Sequence, residues 1–516
     1  MTSSTNALPT RLFTNAFASM ANVVISALLV FALYRLLLVR LGAETLGVWS
    51  LLIASVSAAR LSEMGMAGAA TRFVAAARAR GDEAQAAMIV QTATITLLIF
   101  GLLGAWLAHL LLPSLLARVL HGSQLMAATQ ALPWALGAFA LGLAASAVQS
   151  SLDGCQRLDL RVWIALAAQG VLLLVATALS RPYGLTGVAV AQGAQALVTL
   201  SGGWLVLRGQ LRGLPVVPAR WDLATFRHML GYSALLQLNN LLLLLLDPLV
   251  KFLLTHFGGL SATAYFEMAN QMVQRLRQLP IAAAQVLVPA MTQAGIEGMD
   301  RLKQLYGRGY RAIFAAAVPI FCFAAMLVPA ISRLWIGHEE PLFERMAWIC
   351  IAGWTLSTIG TPAYYGNVGI GTLASNSIGH ALTSLCASLV GWLGGMQVGA
   401  VGVCAGYSLG VVAGGLYVHL VFMRRLGLPW QSLIPSESRG LLALSLIAVV
   451  LGLYLDAAMA HSSALPAGSS NRNWTHMGLQ TALFLLVAGA GLWTHPLRRG
   501  IYGHIRQRVS RAPTLP

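Results

Sequence analysis

Apolar residues in this chain run in blocks rather than alternating with polar ones. Blocks of about 20 residues, the length that spans a bilayer as a helix, recur from end to end. They fall near 15–39, 46–64, 87–112, 126–152, 161–180, 184–207 and 228–256. The series continues near 261–290, 312–334, 345–367, 375–396, 399–423, 440–460 and 476–495. Short stretches rich in Arg, Gly, Pro or Asn separate them. The pattern predicts an all-α polytopic membrane protein with about 14 transmembrane helices and almost no extramembrane domain. The N-terminus is short and polar, and the first apolar run lacks a small-residue cleavage site. It reads as a retained helix.

Composition agrees: 57% of the 516 residues are hydrophobic, 9% are charged and the mean hydropathy is +0.73. Soluble domains carry about 25% charged residues. The net charge of +17 comes almost wholly from arginine, with lysine only at Lys251 and Lys303. A basic chain can bind nucleic acid, but here the charge sorts by topology. Alternate connections hold 22 basic residues against 6. That bias predicts both termini in the cytoplasm of a multi-pass protein and no nucleic-acid partner. Cys155, Cys322, Cys350, Cys386 and Cys404 form no CxxC pair and read as small buried hydrophobes. No metal site or cofactor motif is present in the sequence, and there is no GxxxxGK[ST] to power the chain with ATP.

Five basic residues remain inside the blocks: Arg35, Arg60, Lys251, Arg275 and Arg277. Sliding the chain by 216 positions puts Arg35 on Lys251 and Arg60 between Arg275 and Arg277, and matches Gly42 to Gly258 and Trp49 to Tyr265. Internal repeats are common in transporters. The expected organisation is a six-helix lobe over 1–210, a basic linker over 211–227, a second six-helix lobe over 228–425, and two further helices with a basic tail over 426–516.

The most apolar stretch, LLLLLLDPLVKFLL (241–254), is broken by Asp247, Pro248 and Lys251. A charge at mid-membrane costs about 2.5–3.5 kcal/mol on insertion scales. Asp247 and Lys251 are i and i+4, so they can pair, and Pro248 bends the helix where it borders a cavity. Gln237 and Asn240 share that face. In AYFEMANQMVQRLRQLP, the residues Glu267, Asn270, Gln271, Gln274, Arg275 and Gln278 form one stripe that lipid cannot face. Arg275 is the favoured cavity cation; Arg277 points elsewhere. Arg35 lines a cavity or snorkels to outer headgroups. Arg60 lines a cavity or pairs locally with Glu63 near the inner surface.

Other signals read as packing. Gly402, Gly406, Gly410 and Gly414, and Gly391, Gly395 and Gly399, are spaced for close helix contact. GYSLG (406–410) fits GxSxG but lies in mid-helix, where no nucleophile elbow can form. His380 and His419 read as structural. No large loop could hold a catalytic domain.

Four stretches carry a family resemblance. They are LGAETLGVWSLL (41–52), EMGMAGAATRFVA (63–75), LDGCQRLDLR (152–161), and Asp247 through Pro289 with AYFEMAN inside. In this order they resemble the Wzx-type lipid-linked oligosaccharide and polysaccharide flippases. These belong to a superfamily with the MATE exporters and the lipid II flippase. The resemblance implies two pseudo-symmetric lobes in a MATE-like V shape, and a flippase of the bacterial inner membrane rather than an enzyme. Its substrate would be a polyprenyl-diphosphate-linked oligosaccharide for O-antigen, capsule or exopolysaccharide. A polysaccharide polymerase and export machinery would be further partners. Arg35, Arg60, Lys251 and Arg275 stand where the family's diphosphate-binding cations would be, with Asp247 and Glu63 for charge pairing or ion coupling. The alternatives are a cation-coupled multidrug antiporter of the same fold and a membrane glycan polymerase or ligase.

Overall fold

The computed structural model describes residues 7–285, 287–462 and 470–496. Within these, side chains are described except at 7–22, 232–245, 460–462 and 470–473. The described residues are helical almost throughout, and no β-strand occurs among them. The helices are α1 (Ala7–Ser57), α2 (Met66–Ala79), α3 (Glu83–Leu116), α4 (Gly122–Gly154), α5 (Leu158–Gln210), α6 (Leu223–Gln285) and α7 (Leu287–Glu297). They continue as α8 (Met299–Trp335), α9 (Pro341–Ile359), α10 (Thr361–Gly369), α11 (Ala374–Val398), α12 (Ala400–Arg425), α13 (Arg439–Ser462) and α14 (Ser470–Thr494). Among the described residues, ten helices are long and apolar enough to cross a membrane.

Three of the helices are too long to run straight. α1, α5 and α6 have 51, 53 and 63 residues. At about 1.5 Å per residue each would exceed twice the bilayer thickness. Each breaks at a glycine: Gly42 (φ 80), Gly184 (φ 53) and Gly259 (φ 79). Positive φ is open to glycine at little steric cost, so one residue suffices to turn the chain. Beyond Gly184 the chain folds back, placing Gly187 on the Leu179 carbonyl. Around Gly259 the Thr255 and Thr263 hydroxyls meet at 2.9 Å. Eight residues along a continuous helix would hold them about 12 Å apart. Opening these three helices at their glycines, and adding the 19-residue α9, gives the predicted fourteen segments. The remaining helices, α2, α7 and α10, are short.

The chain divides into two compact units, Met1–Met268 with Gly395–Val403, and Ala269–Gly394 with Cys404–Pro516. The first has a core of small and branched residues from α2 to α5, including Met66, Val74, Val90, Leu97, Val148 and Leu207. In the second, α13 and α14 pack on α8 through Met326, Ala448 and Phe484. Arg333 of α8 fixes that packing by a bidentate pair with Asp456 of α13 at 2.6 and 3.0 Å. The predicted glycine contacts form there too. Gly406 lies on the Gly391 backbone, Gly410 on Ala387 and Gly414 on Gly379 and Thr383, so α11 and α12 approach closely. His419 is buried beside the Tyr306 and Tyr310 rings, in keeping with a structural role. The five cysteines are free. Large apolar side chains such as Trp106, Leu111, Val450 and Leu486 stay exposed. A soluble protein would bury such surface; here it faces lipid.

Gly406→Ala should lower the thermal midpoint in detergent, because its Cβ would overlap the Gly391 backbone; the cost of such overpacking is about 1–3 kcal/mol. Gly170→Ala meets nothing within 4 Å and should leave the midpoint unchanged or slightly raised. Equal effects would contradict the α11–α12 packing.

Candidate functional site

The turn at Gly259 sets up a buried charge cluster. Lys251 lies eight residues before it and Glu267 eight after, as Thr255 and Thr263 lie four to either side. Folding back therefore brings Lys251 against Glu267. The Lys251 ammonium lies 2.7 Å from Glu267 and 2.9 Å from Asp247, the latter the predicted i, i+4 pair. The Tyr34 hydroxyl of α1 donates to the other Glu267 oxygen at 2.7 Å. Lys251 is 4% exposed and Glu267 5%, so both charges are shut off from lipid and water. Such burial is tolerable only with close partners. The ammonium is doubly compensated, and with both carboxylates ionised the cluster carries one net negative charge. The i, i+4 spacing predicts the Lys251–Asp247 pair but does not join Glu267 or Tyr34 to it. The signal was the equal spacing of 251 and 267 about Gly259.

The other candidates are dispersed. Arg35 is exposed on α1, with no carboxylate within 4 Å among the described residues, while its neighbour Tyr34 turns to Glu267. Arg60 sits on the 3-10 turn Ala58–Glu63. With Glu63 it lines a cavity of about 550 Å3 inside the first unit, walled also by Gln149, Asp153, Arg161, Gln192 and Gln195. Arg60 and Glu63 come no nearer than 4 Å, so the cavity holds them without a direct pair. Arg161 instead bonds Asp153 at 2.5 Å and Gln149 at 3.2 Å. Bases and acids are balanced in this cavity. Its α4 and α5 residues went unnoticed in the sequence, although Gln149 and Asp153, and Gln192, Gln195 and Thr199, have helical spacing. Gln237 and Asn240 lie on α6, but their side chains fall outside the described residues.

The polar stripe of α6 divides among partners. Past Glu267, the Asn270 carboxamide oxygen accepts from the Tyr407 hydroxyl at 3.3 Å. Gln274 accepts from Arg277 at 3.4 Å. Gln271 and Arg275 are half-buried and Gln278 is exposed. Arg277, which the helical wheel set aside, has the most distinctive surroundings: its guanidinium stacks on the Trp354 ring at 4.1 Å. Trp354 in turn meets Tyr407 edge-on, with centroids 6.3 Å apart. Ser408, within the GxSxG match, is buried inside α12 and far from any strand-to-helix turn.

Solved structures establish the class of fold. The inward-facing form of a multidrug resistance MATE family transporter of the MOP superfamily is 15% identical, with a TM-score of 0.67, over 80% of this chain and 98% of that one. The lipid II flippase MurJ, in an inward closed conformation, is 12% identical with a TM-score of 0.64, over 92% and 97%. A MOP superfamily transporter from Pyrococcus furiosus is 15% identical with a TM-score of 0.60, over 80% and 94%. This is a multi-pass membrane protein with the fold of that superfamily. A comparison with curated proteins finds no match. The family model described as polysaccharide biosynthesis protein matches residues 12–294, more than half of the chain. The chain belongs to that polysaccharide biosynthesis family, as its motifs led one to expect.

Lys251→Met should leave the buried Glu267 carboxylate without its cation, beside a half-exposed Asp247, and lower stability by about 3–5 kcal/mol. Adding Glu267→Gln should restore part of that loss. Thermal unfolding of the two variants in detergent checks this, and an unchanged midpoint for Lys251→Met would rule out the doubly compensated ammonium.

Proposed function

We propose that the chain is a flippase of the bacterial inner membrane. It moves a polyprenyl-diphosphate-linked oligosaccharide outward by alternating access, with both termini in the cytoplasm. The product serves surface polysaccharide assembly: O-antigen, capsule or exopolysaccharide. A polymerase and export machinery act downstream. The observation that carries this reading is the Lys251 cluster, an ammonium stored inside the membrane-spanning part of a polysaccharide biosynthesis family member.

The cluster suits a switch. Its two carboxylates hold Lys251 while both are ionised. One proton on Asp247 or Glu267 weakens that hold, and a diphosphate can then compete for the ammonium. Arg35, Arg60 and Arg275 serve as further contacts for the anionic headgroup. Asn270, Gln271, Gln274 and Gln278, with Gln237 and Asn240, offer donors and acceptors to sugar hydroxyls. The lobes are 1–210 and 228–425, joined by 211–227 and followed by the pair of helices within 426–516. The glycine breaks support this division: Gly42 and Gly259 are 217 positions apart, and Gly184 and Gly399, all at positive φ, 215. Those offsets bracket the 216-residue slide that superposes the intramembrane cations.

A second reading, a cation-coupled multidrug antiporter of the same fold, draws on one feature of the same cluster, where carboxylates outnumber the ammonium. Deleting the gene separates the two. Lipid extracts of the deletion cells should accumulate polyprenyl-diphosphate-linked repeat units while surface polysaccharide disappears. Wild-type protein should reverse this, and Lys251→Met should not. Deletion cells that accumulate none and become sensitive to cationic toxins would replace the flippase with the antiporter.

A further inference from the structure

The second unit holds a cation that the Lys251 cluster does not explain. Among basic groups set between packed helices, Lys251 has two carboxylate oxygens within 3.0 Å and Arg333 has three. Arg277 has no carboxylate within 4 Å among the described residues, and its only hydrogen bond there is the long one to Gln274. Its Nε is shut off from solvent without an acceptor, and so is Nε1 of Trp354, on which the guanidinium lies. Two buried donors side by side with no acceptor are costly unless something supplies one.

The surroundings describe that missing acceptor. Tyr364 and Tyr365 meet edge-on at 5.4 Å, and the Tyr364 hydroxyl comes within 3.4 Å of His380 Nε2. Trp354, Tyr364, Tyr365 and His380 all keep part of their surface open. Stacking on indole orients a guanidinium and leaves its edge donors directed outward as a planar fork. A fork binds an oxyanion at two points, and flanking rings offer faces to the apolar side of a sugar. A membrane-interface anchor would also place Arg beside Trp, but it would leave both donors wet rather than buried.

We propose that Arg277, oriented by Trp354 and rimmed by Tyr364 and Tyr365, is a specificity-determining site for an oxyanion carried next to a sugar ring. That oxyanion is either the carboxylate of an acidic sugar or the sugar-proximal phosphate of the lipid carrier. The proposal rests on the flippase reading and names part of its substrate.

The test uses the full-length protein in nanodiscs and three probes: a uronate disaccharide, the matched neutral disaccharide, and farnesyl diphosphate. Arg277→Gln should weaken at least one charged probe by about tenfold or more while the neutral disaccharide changes less than about twofold. Loss on the uronate probe assigns the site to an acidic sugar, and loss on the diphosphate alone assigns it to the carrier phosphate. Arg277→Lys, which keeps the charge without the fork, should fall between wild type and Arg277→Gln. Should Arg277→Gln fail to fold, Arg277→Lys and Trp354→Phe carry the same comparison. Unchanged affinity for both charged probes, or equal losses for charged and neutral ones, would overturn the proposal and leave Arg277 as a packing residue. A failure of the flippase reading would show instead in the deletion-cell lipids, with the binding contrast intact.

Discussion

A charge inside a bilayer must find its partner within the protein, because neither lipid nor water is there to supply one. In this chain that constraint is met at the turn of α6. Lys251 and Glu267 are sixteen residues apart in sequence and 2.7 Å apart in space, and the register that joins them is set at Gly259. Were the break one residue away, Lys251 and Glu267 would no longer stand level, and two buried charges would lose their closest partners. Tyr34 then ties α1 to the same carboxylate. The pairing locks a hairpin, fixes which faces of its arms look inward, and keeps a titratable cluster in a place where protonation changes the local charge by one unit.

The rest of the helical body follows from how closely backbones can approach. Glycine appears at the turns, where φ is positive, and along α11 and α12, where one backbone lies on another. Association between membrane helices gains little from the hydrophobic effect, since lipid tails are as apolar as leucine. Close van der Waals contact and a few strong polar ties do that work. Arg333 with Asp456 is one such tie, holding α13 to α8.

Much of this was legible in the order of residues. Fourteen apolar segments were countable because each had to span the same thickness, and the Asp247–Lys251 pair because i and i+4 face each other on any helix. The family could be named from four motifs in order. What escaped was whatever depends on tertiary register. In sequence Glu267 is one tooth of a polar stripe, since nothing local says which arm it will meet. Arg277, two residues from Arg275, falls off the stripe on a helical wheel, and its partner, Trp354, lies on α9, 77 positions away. The α4–α5 wall of the cavity around Arg60 is hidden for the same reason: LDGCQRLDLR has the residues of a loop, yet it delivers Asp153 and Arg161 to that cavity.

In the proposed function, the Lys251 cluster takes part in carrying a lipid-linked glycan headgroup across the membrane. The measurement that tests it most directly is made in liposomes holding the purified protein and a fluorescent polyprenyl-diphosphate oligosaccharide, scored by how fast the label becomes reachable to a membrane-impermeant quencher. The expected result is protein-dependent exposure of the inner-leaflet label, faster with a proton gradient and lost when Glu267 and Asp247 are both made amides. Exposure no faster than in protein-free liposomes, or unaltered by removing both carboxylates, would contradict it.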